Sequence, residues 1–595
     1  MKKLIYISLL SMSMVGGLTS CDLEAPSKSS LDAQVIFSTP SLAEAAVMGI
    51  HQSFGETNSY RGRFIPYYGL NTDLEWINGM DVTKMPDGGK YDLGSYAATP
   101  VNSQMNNTTN AYAKFYEGIE RANQAIAGLR SYGNVESNPE LAQLLGEALT
   151  LRAVIYLDLI KGWGDVPARF EPISTETMYL GRSDRDEIYK QLLADLLEAE
   201  NYCAWPNGSA VTKSVERVSK AFVKGLRARI ALYAGGYSQR ADGVRLSNDP
   251  ELSQANMYKI AKDECLSIIN QGCNTLGDFK DNFTNLCKDI VKAGGESIFE
   301  IPFSDGRGRV LYTFGVKHNA KDQYTQQAQG GVNGPLPTLF YDYYDYDVDD
   351  IRRDITCVPY DWSKELVDGR AKQQLRALNK WCFGKLRYEW MNRIVTSTND
   401  DGVNWQYLRL ADVYLMAAEA INELEGATAA APYLKPILDR ALPAAKVTAY
   451  MSAATASKTA FFNAIVDQRA FELAGEMLRK ADLIRWNLLS SKLAEAKQKM
   501  INLRTRTGAY ADLPKKIYYT YEEDGETLKF YGLNHGDTDE NGAMLTGWDS
   551  TDWITETKLE DKTLNALYTQ DPDQNQFWPI WQTFIDSSNG MLTND

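Results

Sequence analysis

Histidine is nearly absent from this chain: His51, His318 and His535 are the three in 595 residues, and the seven cysteines lack tight paired spacing. A zinc site draws on clustered Cys and His donors, so no catalytic metal is expected. Long apolar runs are lacking too. Spanning a bilayer takes about 20 consecutive apolar residues, and beyond the first twenty positions every apolar stretch is interrupted by charge at helical intervals. The mature chain is therefore not expected to cross a membrane. Positive charge is in deficit, with 62 basic against 77 acidic residues. A surface of that sign repels nucleic acid.

What is present begins at the N-terminus. Lys2 and Lys3 precede an apolar stretch from Leu4 to Leu18, which runs into Leu18-Thr19-Ser20-Cys21. This is the pattern of a secretory signal, residues 1–20. A cysteine directly after a small-residue cleavage site resembles the lipobox of bacterial lipoproteins, so Cys21 is the expected lipidation site and the protein is expected to be membrane-anchored without a spanning helix. The alternative is an ordinary signal peptide with an incidental cysteine. Acidic residues after Cys21 also resemble the surface-export signal of Bacteroidetes lipoproteins. Removing residues 1–20 takes away two lysines, leaving 60 − 77 = −17. The six remaining cysteines are even in number but too sparse for a disulfide-built scaffold, leaving room for one or two bridges.

Residues 21–40, with Pro26, Pro40 and several serines, read as a lipidated tether, and 41–595 as one domain. Within it, helical periodicity dominates 112–271 and 407–489, with helices expected at 41–51, 112–130, 139–161, 186–202, 219–233, 256–271, 407–424, 432–442 and 458–489. Leu144, Ala148, Leu151, Ile155 and Leu159 form one apolar stripe. Segments 55–108 and 276–404 lose this periodicity and are rich in aromatics, with one strand expected at 297–303, and 490–595 reads as loop-rich. The fold class expected is mainly α: a tetratricopeptide-like scaffold of helical hairpins with large irregular insertions and minor β. The insertions are expected to make a binding face.

Gly146-Glu147-Ala148-Leu149-Thr150-Leu151-Arg152-Ala153-Val154-Ile155-Tyr156-Leu157-Asp158-Leu159-Ile160, closed by Gly164-Asp165-Val166-Pro167, resembles the signature helix of the SusD/RagB family of Bacteroidetes outer-membrane lipoproteins. Gln468-Arg469-Ala470-Phe471-Glu472-Leu473-Ala474-Gly475-Glu476, continuing through Arg479 to Asp482-Leu483-Ile484-Arg485-Trp486, is similar to a second family block, although the family usually has Glu at 468, Gly at 477 and an aromatic at 480 where this chain has Gln, Met and Lys. Blocks at 116–123, 408–420 and 578–594 follow in the family's order. The resemblance implies an outer-membrane lipoprotein facing the cell exterior. It implies a lid on a SusC-like TonB-dependent transporter that presents glycan to it, without enzymatic activity. The family's ligand contacts sit in variable loops, so no contact list carries over.

Sugar capture needs flat aromatic faces together with planar polar groups. Residues 61–81 supply that mixture in Arg63, Tyr67, Tyr68, Asn71, Asp73, Glu75, Trp76 and Asn78, with Trp76 the foremost candidate. Tyr324, Gln326 and Gln327, with Trp362 and Trp390, offer a second aromatic platform. The structural alternative is that Tyr67 and Tyr68 pack in the core and Asp73 caps a turn. Arg469, Glu472, Glu476, Arg479 and Asp482 read as an ion-pair ladder along one helical face, and Glu147 with Arg152 as a similar pair. Asp342, Asp345, Asp347, Asp349 and Asp350 allow a structural calcium site, against the commoner reading as a solvated acidic turn. No other cofactor is expected. The rival functions are a surface glycoside hydrolase, a peptide-binding lipoprotein and a protein-binding scaffold.

Overall fold

The computed structural model describes residues 32–343 and 349–594. The signal segment, Cys21, most of the tether, Asp345 and Asp347 lie outside the described residues. Helices carry the architecture, and strands are confined to small sheets, five of two strands and one of three among the described residues.

The longest helix, Pro139–Trp163, forms where its sequence says it should. Asn138 caps it by accepting from the N–H of Glu140 and Leu141, Pro139 occupies the first turn, and Gly164, at φ +70°, ends it. Its stripe of Leu144, Ala148, Leu151, Ile155 and Leu159 is buried, each large side chain contributing about 1.5–3 kcal/mol. Helices pack pairwise along the chain: Ala111–Tyr132 on Pro139–Trp163, Arg185–Ala199 on Lys220–Ala234, then Gln254–Gln271, with Leu410–Glu425 meeting Ala427–Ala441 and Lys458–Leu473. The helical-hairpin scaffold matches the expected class.

Several local expectations need correction. Part of the expected tether is helix, Ala33–Ser38, and Phe37 is buried. Phe37 seats because residue 128 is glycine: a Cβ there would lie 2.0 Å from the ring. The expected helix over 458–489 breaks after Leu473 and resumes as Arg479–Arg485. Gly475 and Met477 stand at φ +80° and +58° between them, a conformation no right-handed helix contains. Periodicity persisted across the break because buried apolar residues recur on both sides of it, from Phe461 to Leu473 and again at Leu483 and Ile484. Segment 490–595 carries regular structure, the helix Leu489–Thr505 and a sheet of Lys516–Tyr521, Leu528–Tyr531 and Asp549–Asp552.

The charged residues beside this break are buried and paired in three dimensions, not as a ladder. Arg469 bridges Asp412 (2.6 Å) and Asp482 (2.7 Å), and Arg479 grips Asp73 (2.6 Å). Arg409 reaches Glu296, Glu472 and Glu476 (2.7, 2.7 and 2.8 Å). Glu147 and Arg152, five residues apart and so on different sides of their helix, pair with Arg217 (2.8 Å) and Asp195 (2.7 Å) instead of each other. All six described cysteines are free thiols, so the room left for a bridge is not used. Asp342 pairs with Lys499, Asp349 with Lys446 and Asp350 with Arg352; these carboxylates turn to separate cations instead of one centre.

Near the C-terminus Trp578 and Trp581 are buried against Trp163. The Trp578 backbone N–H donates to Gly162 O and its indole N–H to Leu93 O. The tail thereby fastens the irregular 55–108 segment to the longest helix.

A candidate ligand face along the 395–401 loop

The expected binding residues separate into two groups. Trp76 lies in a short strand, Glu75–Ile77, paired antiparallel with Asn333–Pro335, and its side chain is 1% exposed among Leu336, Phe340 and Trp381. Asn71 is fully buried at φ +57°, donating to Leu567 O at 2.8 Å. Asp73 accepts both arms of Arg479, and Asn78 ties the strand to Trp381 O and Gly331 O. These four hold the irregular segments to the body, and Trp76 in this conformation offers no open face for stacking. The sequence mixture of aromatics and amides is the same for a core strand and for a binding loop; the strand partner, some 260 residues away in the chain, makes the difference.

The second group converges. Residues Tyr60–Phe64 form a π-turn that carries Arg61 and Arg63. Arg61 is locked by Gly55 O (2.7 Å) and Thr57 Oγ1 (2.8 Å) and touches Asn399 O. Arg63 is half-buried and donates to Gly62 O, leaving its Nε without a protein partner. Burial, partly opposed by Tyr67, lowers the Arg63 pKa, and burial raises that of Tyr67, whose hydroxyl is faced by Arg63, Arg309 and Tyr312.

Arg309 and Tyr312 come from the turn and short helix Val310–Phe314. The Arg309 guanidinium sits 4.1 Å above the Tyr312 ring centre and donates to Asn399 Oδ1 at 2.9 Å. Asp401 anchors this helix by accepting from the N–H of Leu311 and Tyr312. Burial raises its pKa to about 6 against those bonds. Gly308 is required here: at φ +119°, a Cβ would strike Asp401 Oδ1 at 2.4 Å.

The same loop continues to the third element. Gln326 N–H donates to Val395 O (2.9 Å), and Gln327 Nε2 to Thr396 O (3.1 Å). Beside them Tyr324, half-buried, leans on Trp362 with ring centres 5.0 Å apart. Trp362 is itself 3% exposed, stacked on His318 and donating to Glu389 Oε1 at 2.7 Å, so it backs Tyr324 from below. Trp390 is half-buried with Arg387 at 4.8 Å over its ring. Tyr388 lies between the groups, its hydroxyl faced by Asp401, Tyr312, Glu389 and Arg309.

The loop 395–401 thus joins Arg61 to Arg309 through Asn399 and holds Gln326 and Gln327 at Val395 and Thr396, with Tyr312 under Arg309 and Tyr324 just before Gln326 in the chain; Arg63 faces Arg309 and Tyr67, which is 9% exposed, and Trp390 precedes the loop in sequence. Partly open aromatic rings interleaved with guanidinium and carboxamide groups suit a neutral, hydroxyl-rich ligand with apolar ring faces. Sequence reasoning missed Arg309, Tyr312 and Arg387. For Arg309 the available signal was Gly306 and Gly308 just before it, since closely spaced glycines mark a tight turn.

Comparisons with known proteins fit this architecture. A model described as the SusD family matches residues 295–595, and one described as "Starch-binding associating with outer membrane" matches 58–232. SusD-like protein P25 of Formosa agariphila is 23% identical over 520 residues, covering 79% of this chain and 88% of that one. A SusD homolog from Bacteroides thetaiotaomicron superposes with a TM-score of 0.69 at 18% identity, over 93% of this chain and 96% of the other. Surface glycan-binding protein A from the same organism, in complex with laminarihexaose, gives 0.60 at 17% identity over 93% and 98%. The chain belongs to the SusD family.

Proposed function

We propose that this protein is an outer-membrane lipoprotein, anchored through Cys21 and facing the cell exterior, which captures oligo- or polysaccharide and delivers it to a SusC-like TonB-dependent transporter without cleaving it. The observation that carries the reading is that the 395–401 loop gathers Arg309 on half-buried Tyr312 at one end and the Tyr324–Gln327 segment at the other, with half-buried Trp390 shortly before it in the chain. Support comes from the family description and from laminarihexaose in a solved structure of the same fold. We assign ligand contact to Arg63, Tyr67, Arg309, Tyr312, Tyr324 and Trp390, with Trp362 as the support under Tyr324.

Non-hydrolytic capture agrees with the carboxylates of this loop, where the raised one, Asp401, is 2% exposed and spent on backbone N–H groups. A glycosidase needs one carboxyl kept protonated beside a second one. Asp400 is held by Thr396, the Gly306 N–H and Arg393, whose pull outweighs burial and keeps its pKa low. Glu389 is likewise low, because His318 outweighs burial. Incubating the mature protein with insoluble polysaccharides and analysing both fractions tests the reading. Protein retained on one glycan with no sugar released supports it, and soluble sugar appearing with time overturns it in favour of a hydrolase.

A further inference from the structure

Tyr324 rests on structure that converges on one imidazole. His318 opens a loop that Gln329 closes, their backbones exchanging hydrogen bonds at 2.8 and 3.0 Å, and the span between them carries Tyr324, Gln326 and Gln327. The His318 ring is 0% exposed. It stacks on Trp362, with centres 5.8 Å and planes 16° apart, and meets Tyr324 and Tyr388 edge-on at 6.0 and 5.0 Å.

Two carboxylates flank that ring. Nδ1 stands 2.6 Å from Asp322 Oδ2, and a carboxylate accepts, so Nδ1 carries a proton. Asp322 Oδ1 in turn accepts the N–H of Tyr324 (2.8 Å) and of Thr325 (3.0 Å). At the other nitrogen, Nε2 faces Glu389 Oε2 across 3.7 Å, both atoms buried and without a hydrogen-bond partner, while Glu389 Oε1 accepts the Trp362 indole N–H at 2.7 Å. One side chain therefore links the backbone of Tyr324 to the ring that supports it.

We propose that His318 is the positioning residue of the Tyr324 platform: its second proton, on Nε2, holds Glu389 and through it Trp362 in place, and losing that proton weakens the hold on glycan. The inference rests on the capture reading above. With the proton present, an imidazolium attracts Glu389; without it, a nitrogen lone pair faces a buried carboxylate oxygen, and Glu389 turns away and takes the indole bond with it. Burial lowers the His318 pKa, but the hydrogen bond to Asp322 and the Glu389 carboxylate outweigh it and raise it above 6.5. The proton is accordingly in place at pH 6 and leaves as pH rises through the raised value. The surrounding groups keep their charge. Burial raises the Glu389 pKa, but His318 and Arg387 outweigh it, and burial pushes the Tyr324 and Tyr388 hydroxyls up. Arg387 is bonded to Tyr360 Oη and Gly384 O, Lys317 is set among Arg376, Asp361 and Cys382, and Glu526, which faces Tyr324, pairs with Arg370.

The test uses the mature protein. Its histidines are His51, His318 and His535, so labelling histidine with carbon-13 at Cε1 gives three resonances, and the one missing in His318→Gln is assigned. Nitrogen-15 tryptophan reads the Trp362 indole, assigned through Trp362→Phe. The His318 signal should titrate above pH 6.5, and the Trp362 indole should shift with the same midpoint. Titration calorimetry with laminarin as the probe should show affinity falling by about 3- to 10-fold from pH 6 to pH 9, the worth of a weakened ring contact. Glu389→Gln should bind alike at both, because its amide accepts from the indole and donates to a neutral Nε2. An indole signal that ignores the His318 titration, equal wild-type affinity at both pH values, or pH dependence that persists in Glu389→Gln overturns the proposal. Should His318→Gln fail to fold, His51→Gln and His535→Gln assign the His318 signal by elimination. Laminarin binding at neither pH counts against the capture reading instead, and the labelled spectra then decide the role of His318.

Discussion

Replacing Arg409 by Met probes the buried ion-pair network most sharply. Arg409 is 1% exposed and donates to Glu296, Glu472 and Glu476 at 2.7–2.8 Å, with a further bond to Glu472 O. Methionine keeps the apolar stem but removes all of these bonds. Arg440, Arg352 and Lys385 remain close to the three carboxylates, so they lose only part of their compensation. Removing one partner from a buried pair costs about 3–5 kcal/mol. At about 2.1 cal/mol/K per residue, unfolding the 575-residue mature chain carries roughly 1.2 kcal/mol/K. The melting midpoint should fall by about 3–4 °C. The pH dependence supplies a second signature. Burial raises the Glu472 pKa, but Arg440, Arg409 and Arg352 outweigh it and hold the group well below the usual range; Glu476 follows the same pattern with Arg409 and Lys385. A depressed carboxylate contributes stability that is present above the unfolded value of about 4.3 and lost as pH falls through the folded one. In Arg409→Met the folded values rise, so the gap to wild type should be full from pH 7.5 down to about pH 4.3 and narrow below it, towards about pH 3. Calorimetric scans at the two ends of this range check this; a loss below about 1 kcal/mol, or an equal gap at both, would refute the reasoning.

Trp76→Ala should cost about 3–5 kcal/mol by emptying a core site, lowering the melting midpoint while ligand affinity of the folded protein stays within two-fold of wild type, a result that calorimetry in the presence of glycan can read. His318 is fully buried between Asp322 (2.6 Å) and Glu389 (3.7 Å). Burial lowers its pKa, but the hydrogen bond to Asp322 and the nearby Glu389 carboxylate win and raise it. The stability it contributes is full below about pH 6.5 and lost as pH rises through the raised value. Denaturant titrations should accordingly show wild type ahead of His318→Gln by more at pH 6 than at pH 9; the opposite order would sink this reading.

Local chemistry made the scaffold legible. The cap Asn138, the stripe from Leu144 to Leu159 and the stop at Gly164 all lie within one stretch of chain, so the helix Pro139–Trp163 could be placed almost to its ends. The break after Leu473 was marked only by Gly475, a lone glycine of the kind a helical pattern tolerates, while Met477 takes its left-handed conformation with no signature in the sequence. The binding face was half legible. Tyr324, Trp362 and Trp390 were found because their insertion is rich in aromatics, and Arg63 and Tyr67 because they share a segment with polar planar groups. Trp76 looked identical by that measure. Only its pairing opposite Gly334, a long-range contact, sends it inward, and only Asn399 brings Arg309 to Arg61.

The central claim is that glycan rests on the face strung along the 395–401 loop, and titration calorimetry of the mature protein against a panel of polysaccharides, beginning with laminarin, tests it most directly. With Tyr312→Ala, Tyr324→Ala and Trp390→Ala alongside Trp76→Ala, the account predicts that each of the first three weakens binding by about 10-fold or more, the worth of one lost ring contact near 1.4 kcal/mol, while Trp76→Ala changes stability alone. Binding that ignores all three face substitutions, or that fails only with Trp76→Ala, would contradict it.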